Sequence, residues 1–263
     1  MADPASIAYS QEDPTFPPLL SGHRTEPSEN PAVIAVEAAQ THSAGAGDLF
    51  WSPREDHLQF ALILEPEVPA ERCYEMLYTA MVAFTDAAGA IMPPEISVTY
   101  SWPSSLLVND GEVGSVDLVI SSQKSDAGVP DWLVISMDIE MKSETLNLDP
   151  GLTYHRTTFW DEGCGHISRT ELLNSLARHF LSWLNNWQEE GFSAIHKLWM
   201  QRLPHKENVD IHYEGKLLHG DILGLDETGN ALFKSGPGSI LLQTEIALLG
   251  KRELLGQKLV DDA

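Results

Sequence analysis

The chain has 263 residues, 43% of them hydrophobic and 21% charged, which excludes fibrous, collagen-like and wholly disordered classes and supplies material for a core. Sixteen Lys and Arg stand against 39 Asp and Glu, a formal charge of −23. A surface that negative repels phosphate backbones and anionic headgroups, so neither nucleic acid nor a membrane surface is expected as a partner. No run approaches the roughly 18 apolar residues that a membrane span needs, and Met1 to Ser10 hold no basic region and no apolar run, so no secretory peptide is expected. Cys73 and Cys164 lie far apart with no Cys-x-x-Cys pair, which suits a reducing cytoplasm and rules out a disulfide framework.

Residues 1–31 are rich in Pro, Ser and acids without periodicity and read as an extended lead-in. Ala32 to Glu37 is a short apolar run that reads as a buried strand. The small residues Ser43 to Gly47 form a loop, and Leu58 to Leu64 the next strand, ended by Pro66 and Pro69. From Ala70 to Ala90 apolar residues recur at helical spacing (Met76, Leu77, Ala80, Met81, Phe84), with Gly89 near the expected C-cap. Strand-like runs follow at Ile96–Trp102, Ser105–Asn109, Val113–Ser121 and Trp132–Ile139. Asn109-Asp110-Gly111 makes a hairpin turn between two of them, because Asn, Asp and Gly tolerate positive φ.

Residues 142–168 are turn-rich. Ser168-Arg-Thr-Glu171 then has the form of a capping box and opens a long amphipathic helix carrying Leu172, Leu176, Phe180, Trp183 and Trp187. Gly191 stops it, and a second helix runs to Pro204. Trp183, Trp187 and Trp199 sit at helical spacing and read as packing residues. From Val209 to Leu249 short runs alternate with tight turns (Glu214-Gly215, Asp226 to Gly229, Ser235 to Gly238), the pattern of a small β-barrel. The expected architecture is α+β: a mixed or antiparallel sheet with packed helices over 32–204, a barrel over 205–250, and a tail over 251–263.

That order of elements resembles the biotin/lipoate protein ligase superfamily, and its biotin branch in particular. Val33 to Gln40 through Phe50-Trp-Ser-Pro53 is similar to the family's strand, adenylate loop and Trp-Phe-Ser-Pro exit. Tyr100-Ser-Trp-Pro103 with Leu106 to Asp110 is similar to its Lys-Trp-Pro-Asn-Asp hairpin, and Leu172 to Leu249 to its helices and C-terminal SH3-like barrel. In the ligases an arginine-rich loop and two lysines neutralise the acyl-adenylate. Here the corresponding positions are His42 to Asp48, without arginine, and Ser101 and Glu112; the Gly-x-Gly-x-Asn strand reads Ser136 to Glu140. The chain is similar in this to a degenerate, ligase-like bacterial group of unknown function.

Joining a carboxylate to the α-phosphate of ATP needs preorganised positive charge, and one lost contact typically costs about 10²–10³ in rate. Residues 32–143 hold four basic residues against 17 acidic ones. The resemblance therefore implies a ligase scaffold without ATP-dependent adenylation, whose cleft takes a biotin-, lipoate- or fatty-acyl-like ligand or a carrier domain. Biotin, lipoate and ATP are the cofactors it implies. The implied cleft residues are His42, Ser43, Ala44, Gly45, Gly47, Asp48, Trp51, Ser101, Trp102 and Glu112. Lys124 and Lys142 are the lysines available to replace the missing ones. Two other functions stay open: transfer of a preactivated acyl group to a carrier lysine, and a structural or regulatory role through the acidic surface.

The remaining constellations are weak. His155, Asp161, Cys164 and His166 lie within 12 residues, but their spacing fits no zinc signature and no metal is expected. Ser101, Ser104 and Ser105 lack the elbow of a serine nucleophile. Ala44 to Gly47 is neither a Walker loop nor a dinucleotide fingerprint.

Overall fold

The computed structural model describes residues 13–142, 156–204 and 206–255. A seven-stranded sheet runs in the order β1-β2-β3-β7-β6-β5-β4. Its strands are β1 (Ser21–Arg24), β2 (Asp48–Trp51), β3 (His57–Leu64), β4 (Val98–Ser101), β5 (Ser105–Val108), β6 (Gly111–Ile120) and β7 (Leu133–Glu140). All pairings are antiparallel except β1 with β2, so the sheet is mixed. The parallel edge strand comes from the proline-rich lead-in.

One face carries α3 (Glu75–Gly89), α4 (Arg169–Glu190) and α5 (Phe192–Gln201). Period-two alternation sends Leu58, Phe60 and Leu62 of β3 and Leu133, Ile135, Met137 and Ile139 of β7 into that core. The helix expected over 70–90 is divided into α2 (Ala70–Cys73) and α3 at Tyr74. α4 starts where its capping box predicts, with the Ser168 side chain accepting from the Glu171 amide. The Asn109-Asp110 turn adopts φ of 47° and 68°, joining β5 to β6 as a hairpin.

The opposite face carries α1 (Pro31–Gln40), and here the sequence reading is overturned: the run over 32–37 is a helix, not a strand. Asn30 is its N-cap, with a side chain accepting from the Ala32 amide, and Pro31 sits at the first helical position. Proline there costs nothing, because that amide has no intrahelical partner. Ala32, Ala35, Val36 and Ala39 fall on one side of the helix and pack on Phe50, Ala61, Ile63 and Val134 of the sheet.

After α5 the chain forms an antiparallel meander, β11-β10-β9-β8, from β8 (Val209–Tyr213), β9 (Lys216–Leu225), β10 (Ala231–Ser235) and β11 (Gly238–Leu242). The described strands do not close into the expected barrel, since β8 and β11 stay at opposite ends of the order. Where the barrel was expected to end and a tail to begin, α6 (Thr244–Leu255) runs instead. The meander is fastened to the large domain at Tyr78 of α3. This fully buried hydroxyl accepts from the Trp102 indole at 3.2 Å, lies 3.0 Å from Thr244 Oγ1 and donates to the Gly229 carbonyl. Gly229 is at φ +91°, and a Cβ there would stand 2.5 Å from the Tyr78 ring, so only glycine permits this contact.

Replacing the N-cap should separate its hydrogen bond from the backbone geometry. Asn30→Ala is expected to lower unfolding free energy by about 1 kcal/mol, and Asn30→Gly by only a few tenths, in urea titrations of each variant. Unchanged stability in both variants would mean that the cap bond contributes nothing.

Candidate functional site

On the α1 side the sheet changes character part-way along its strands. Ala61, Ile63 and Val134 lie under α1, whereas the next positions on the same face are polar. The register sets Gln59 against Asp138 and Asp138 against Ser115, then Ala61 against Ser136 and Ser136 against Asp117. α1 begins where the polar rows begin, so its N-terminus and the polar rows enclose a cavity of about 100 Å³ lined by Asn30, Gln59, Ser115, Asp117, Ser136 and Asp138 among others.

The ionised walls are internally matched. Asp138 accepts from Gln59 Nε2 at 2.8 Å and lies 2.8 Å from His57 Nδ1. That bond outweighs the burial of the ring and raises the His57 pKa. Asp117 receives a two-pronged contact from Arg252 of α6, 2.7 Å from Nε and 2.6 Å from Nη2, and Nη2 also donates to the Leu118 carbonyl at 2.6 Å. Beside Arg252, Lys251 Nζ donates to Ser105 Oγ at 2.7 Å and stands 3.6 Å from Glu112 Oε1. Burial lowers the Lys251 pKa.

The expected site residues fall into separate places. Ser101 is exposed on β4 and pairs with Ser105, while Glu112 on β6 meets Lys251. Those two therefore flank the polar rows. The loop of His42, Ser43, Ala44, Gly45, Gly47 and Asp48 lies beyond the C-terminal end of α1, a helix of 10 residues, or about 15 Å of axis. It does not line the cavity. Two of its amides are taken by carboxylates of the chain, Gly45 N donating to Asp48 Oδ2 at 2.8 Å and Ala46 N to Glu65 Oε1 at 3.3 Å. Burial pushes the Asp48 carboxyl up, but the Gly45 amide and His23 together hold it below its usual value.

Trp51 faces the other core, 3% exposed, with the Arg169 guanidinium 5.0 Å from its ring. Trp102 is buried against Tyr78. The loop at the cavity end of the sheet is instead 52–56 between β2 and β3. Its arginine, Arg54, is bound by Asp56 of the same turn, Nε to Oδ1 at 3.0 Å. Lys142 pairs with Glu55 at 3.6 Å, and Lys124 lies on an isolated bridge with Pro130. Sequence reasoning missed His57, Gln59, Asp117, Lys251 and Arg252. The period-two polar positions of β3, β6 and β7, set in otherwise apolar strands, were the available signal. Nothing local marked the last two.

His155 lies outside the described residues. Asp161 accepts from Thr158 Oγ1 at 2.8 Å, and Cys164 is buried as a free thiol. Among the described residues no three His, Cys, Asp or Glu side chains are grouped to hold a metal ion, and no helix is long and apolar enough to cross a membrane.

A mixed seven-stranded sheet with helices on both faces is the fold of biotin protein ligases. The Aquifex aeolicus enzyme superposes with a TM-score of 0.68 over 86% of this chain and 96% of that one; at 17% identity the likeness shows the fold alone. The family model for biotin/lipoate A/B protein ligases matches residues 16–201, and the chain belongs to that family. A biotin–acetyl-CoA-carboxylase ligase of Paracoccus denitrificans is 27% identical over 178 residues, 67% of this chain and 72% of that protein. A biotin protein ligase-like protein of unknown function from Silicibacter sp. TM1040 is 31% identical, with a TM-score of 0.77 over 88% of this chain and 96% of that one.

The His57–Asp138 pair makes stability depend on pH. Because the folded-state pKa of His57 is raised, its contribution is complete below the unfolded value of about 6.5 and is lost as pH rises through the folded value. The melting-temperature gap between wild type and His57→Gln should therefore be larger at pH of about 5.5 than at about 9. A gap independent of pH would remove the protonated pair.

Proposed function

We propose that this family member binds an acyl-type carboxylic acid, such as biotin, lipoate or a fatty acid, or a carrier domain bearing one, and does not adenylate it. The observation that carries this reading is the charge arrangement around the cavity. Asp117 and Asp138 form its walls, and the cations that touch them, Arg252 and His57, are already matched to them. The mixed anhydride of an acid with the α-phosphate develops negative charge that an enzyme must meet with preorganised donors. Arg252 and His57, already spent on Asp117 and Asp138, are not free to meet that charge. The 42–48 loop supports the same conclusion, since Asp48 and Glu65 occupy amides that could otherwise receive an anion.

The family relation supports the ligand class. It does not supply the activity, because function resides in the site and not in the fold. The P. denitrificans relative is named a ligase acting on acetyl-CoA carboxylase, which is the ground for including a carrier domain among the partners.

Thermal unfolding with biotin, lipoate and octanoate, each with and without Mg-ATP, tests the proposal. A ligand at 100 times its Kd stabilises by about 2.7 kcal/mol, a rise of roughly 5–10 °C for a domain of this size. The expected result is a rise with a free acid that Mg-ATP does not enlarge. A rise that requires Mg-ATP would restore adenylation and overturn the reading.

A further inference from the structure

We propose that Lys251, delivered by the C-terminal helix α6, receives the carboxylate of the acid bound in the cleft, displacing Glu112 from its side. This inference rests on the acid-binding reading of the cavity. The residue lies outside the stretch matched by the family model, which ends at residue 201, so the family relation assigns it no role.

Three observations converge on it. First, Lys251 is largely buried, its side chain 19% exposed, and its shortest bond runs to a hydroxyl and not to a carboxylate. One N–H goes to Ser105 Oγ at 2.7 Å, and Ser104 Oγ stands at 3.5 Å. The nearest carboxylate oxygen, Glu112 Oε1, is 3.6 Å away, an ion-pair contact beyond hydrogen-bonding distance. Glu112 and Asp117 attract the ammonium without a close hydrogen bond, and an anion at bonding distance would hold it better.

Second, the neighbouring cation is already committed. Arg252 holds Asp117 with two nitrogens and spends a further bond on the Leu118 carbonyl. Within this pair, Lys251 is the group with positive charge to offer. Third, its position suits an acid whose body lies in the cavity. Ser105 is register-paired with Ser115, and Ser115 lines the cavity, so the ammonium stands about one strand spacing, ~5 Å, from the wall. A carboxylate there would also have the Ser104 and Ser105 hydroxyls as donors. Glu112 is 30% exposed and has solvent to turn into.

Calorimetric titration of the full chain with biotin, lipoate and octanoate, and with the uncharged amide of each, reads the proposal directly. Wild type should prefer acid to amide. Lys251→Met, which keeps an unbranched side chain, should lose about tenfold to a hundredfold in affinity for the acid and little for the amide. Lys251→Arg should restore part of the preference, and Glu112→Gln should tighten the acid by removing its competitor. Hydrogen exchange of α6 gives a second readout: the acid, but not the amide, should slow exchange of its amides in wild type. Circular dichroism and thermal unfolding of each variant verify folding.

If folded Lys251→Met binds the acid as tightly as wild type, the role of Lys251 falls while acid binding stands. If wild type binds acid and amide equally, the same holds. If wild type binds none of the six probes, the acid-binding reading falls and this inference with it.

Discussion

The molecule depends on one hydroxyl. Tyr78 of α3 is completely buried and joins Trp102, Gly229 and Thr244, which belong to the β4–β5 turn, the β9–β10 turn and the start of α6. A phenol in an apolar core is tolerated only when its oxygen is satisfied. Satisfying it here fixes the C-terminal meander against the large domain, and burial pushes its pKa far above the usual phenol value. Since Thr244 opens α6, the same bond sets where that helix runs, and hence where Lys251 and Arg252 arrive.

The cleft follows from two periodicities meeting at a boundary. Strand alternation gives β3, β6 and β7 one fully apolar face toward α3, α4 and α5. Their other face is apolar only where α1 covers it. Beyond the first turn of α1 the uncovered positions carry Gln59, Ser115, Asp117, Ser136 and Asp138, and each ionised group needs a partner of its own. His57 comes from the adjacent strand, whereas Arg252 comes from the far end of the chain. A face that would otherwise be a patch of desolvated carboxylates thereby becomes a neutralised cavity wall.

Much of the fold was legible from local chemistry. Asn109-Asp110 fixed a hairpin because those side chains tolerate positive φ, Ser168 announced α4, and alternating apolar residues placed the long strands. The run at 32–37 misled because its five apolar residues suit a buried strand and a short helix equally. Asn30-Pro31, an N-cap followed by the residue best suited to the first helical position, was the deciding signal. The 42–48 loop, expected in the cleft from its likeness to the ligases' adenylate loop, lies beyond the C-terminal end of α1 and does not line the polar cavity. The site itself was less legible, because its bonds join distant residues. His57 meets Asp138 across 81 positions, and Arg252 meets Asp117 across 135. No local spacing rule reaches that far, and the charge count, though correct in sum, does not say which cations return to the sheet.

That longest of the wall contacts also imposes an order on biosynthesis. Arg252 follows Asp117 by 135 positions, a delay of roughly 7–27 s at translation rates of about 5–20 residues per second. Throughout that interval the nascent sheet carries the Asp117 carboxylate without its guanidinium. The ribosome thus produces the scaffold well before it supplies the groups that neutralise the cavity wall. A nascent chain halted before α6 would expose a more acidic cleft than the finished protein does.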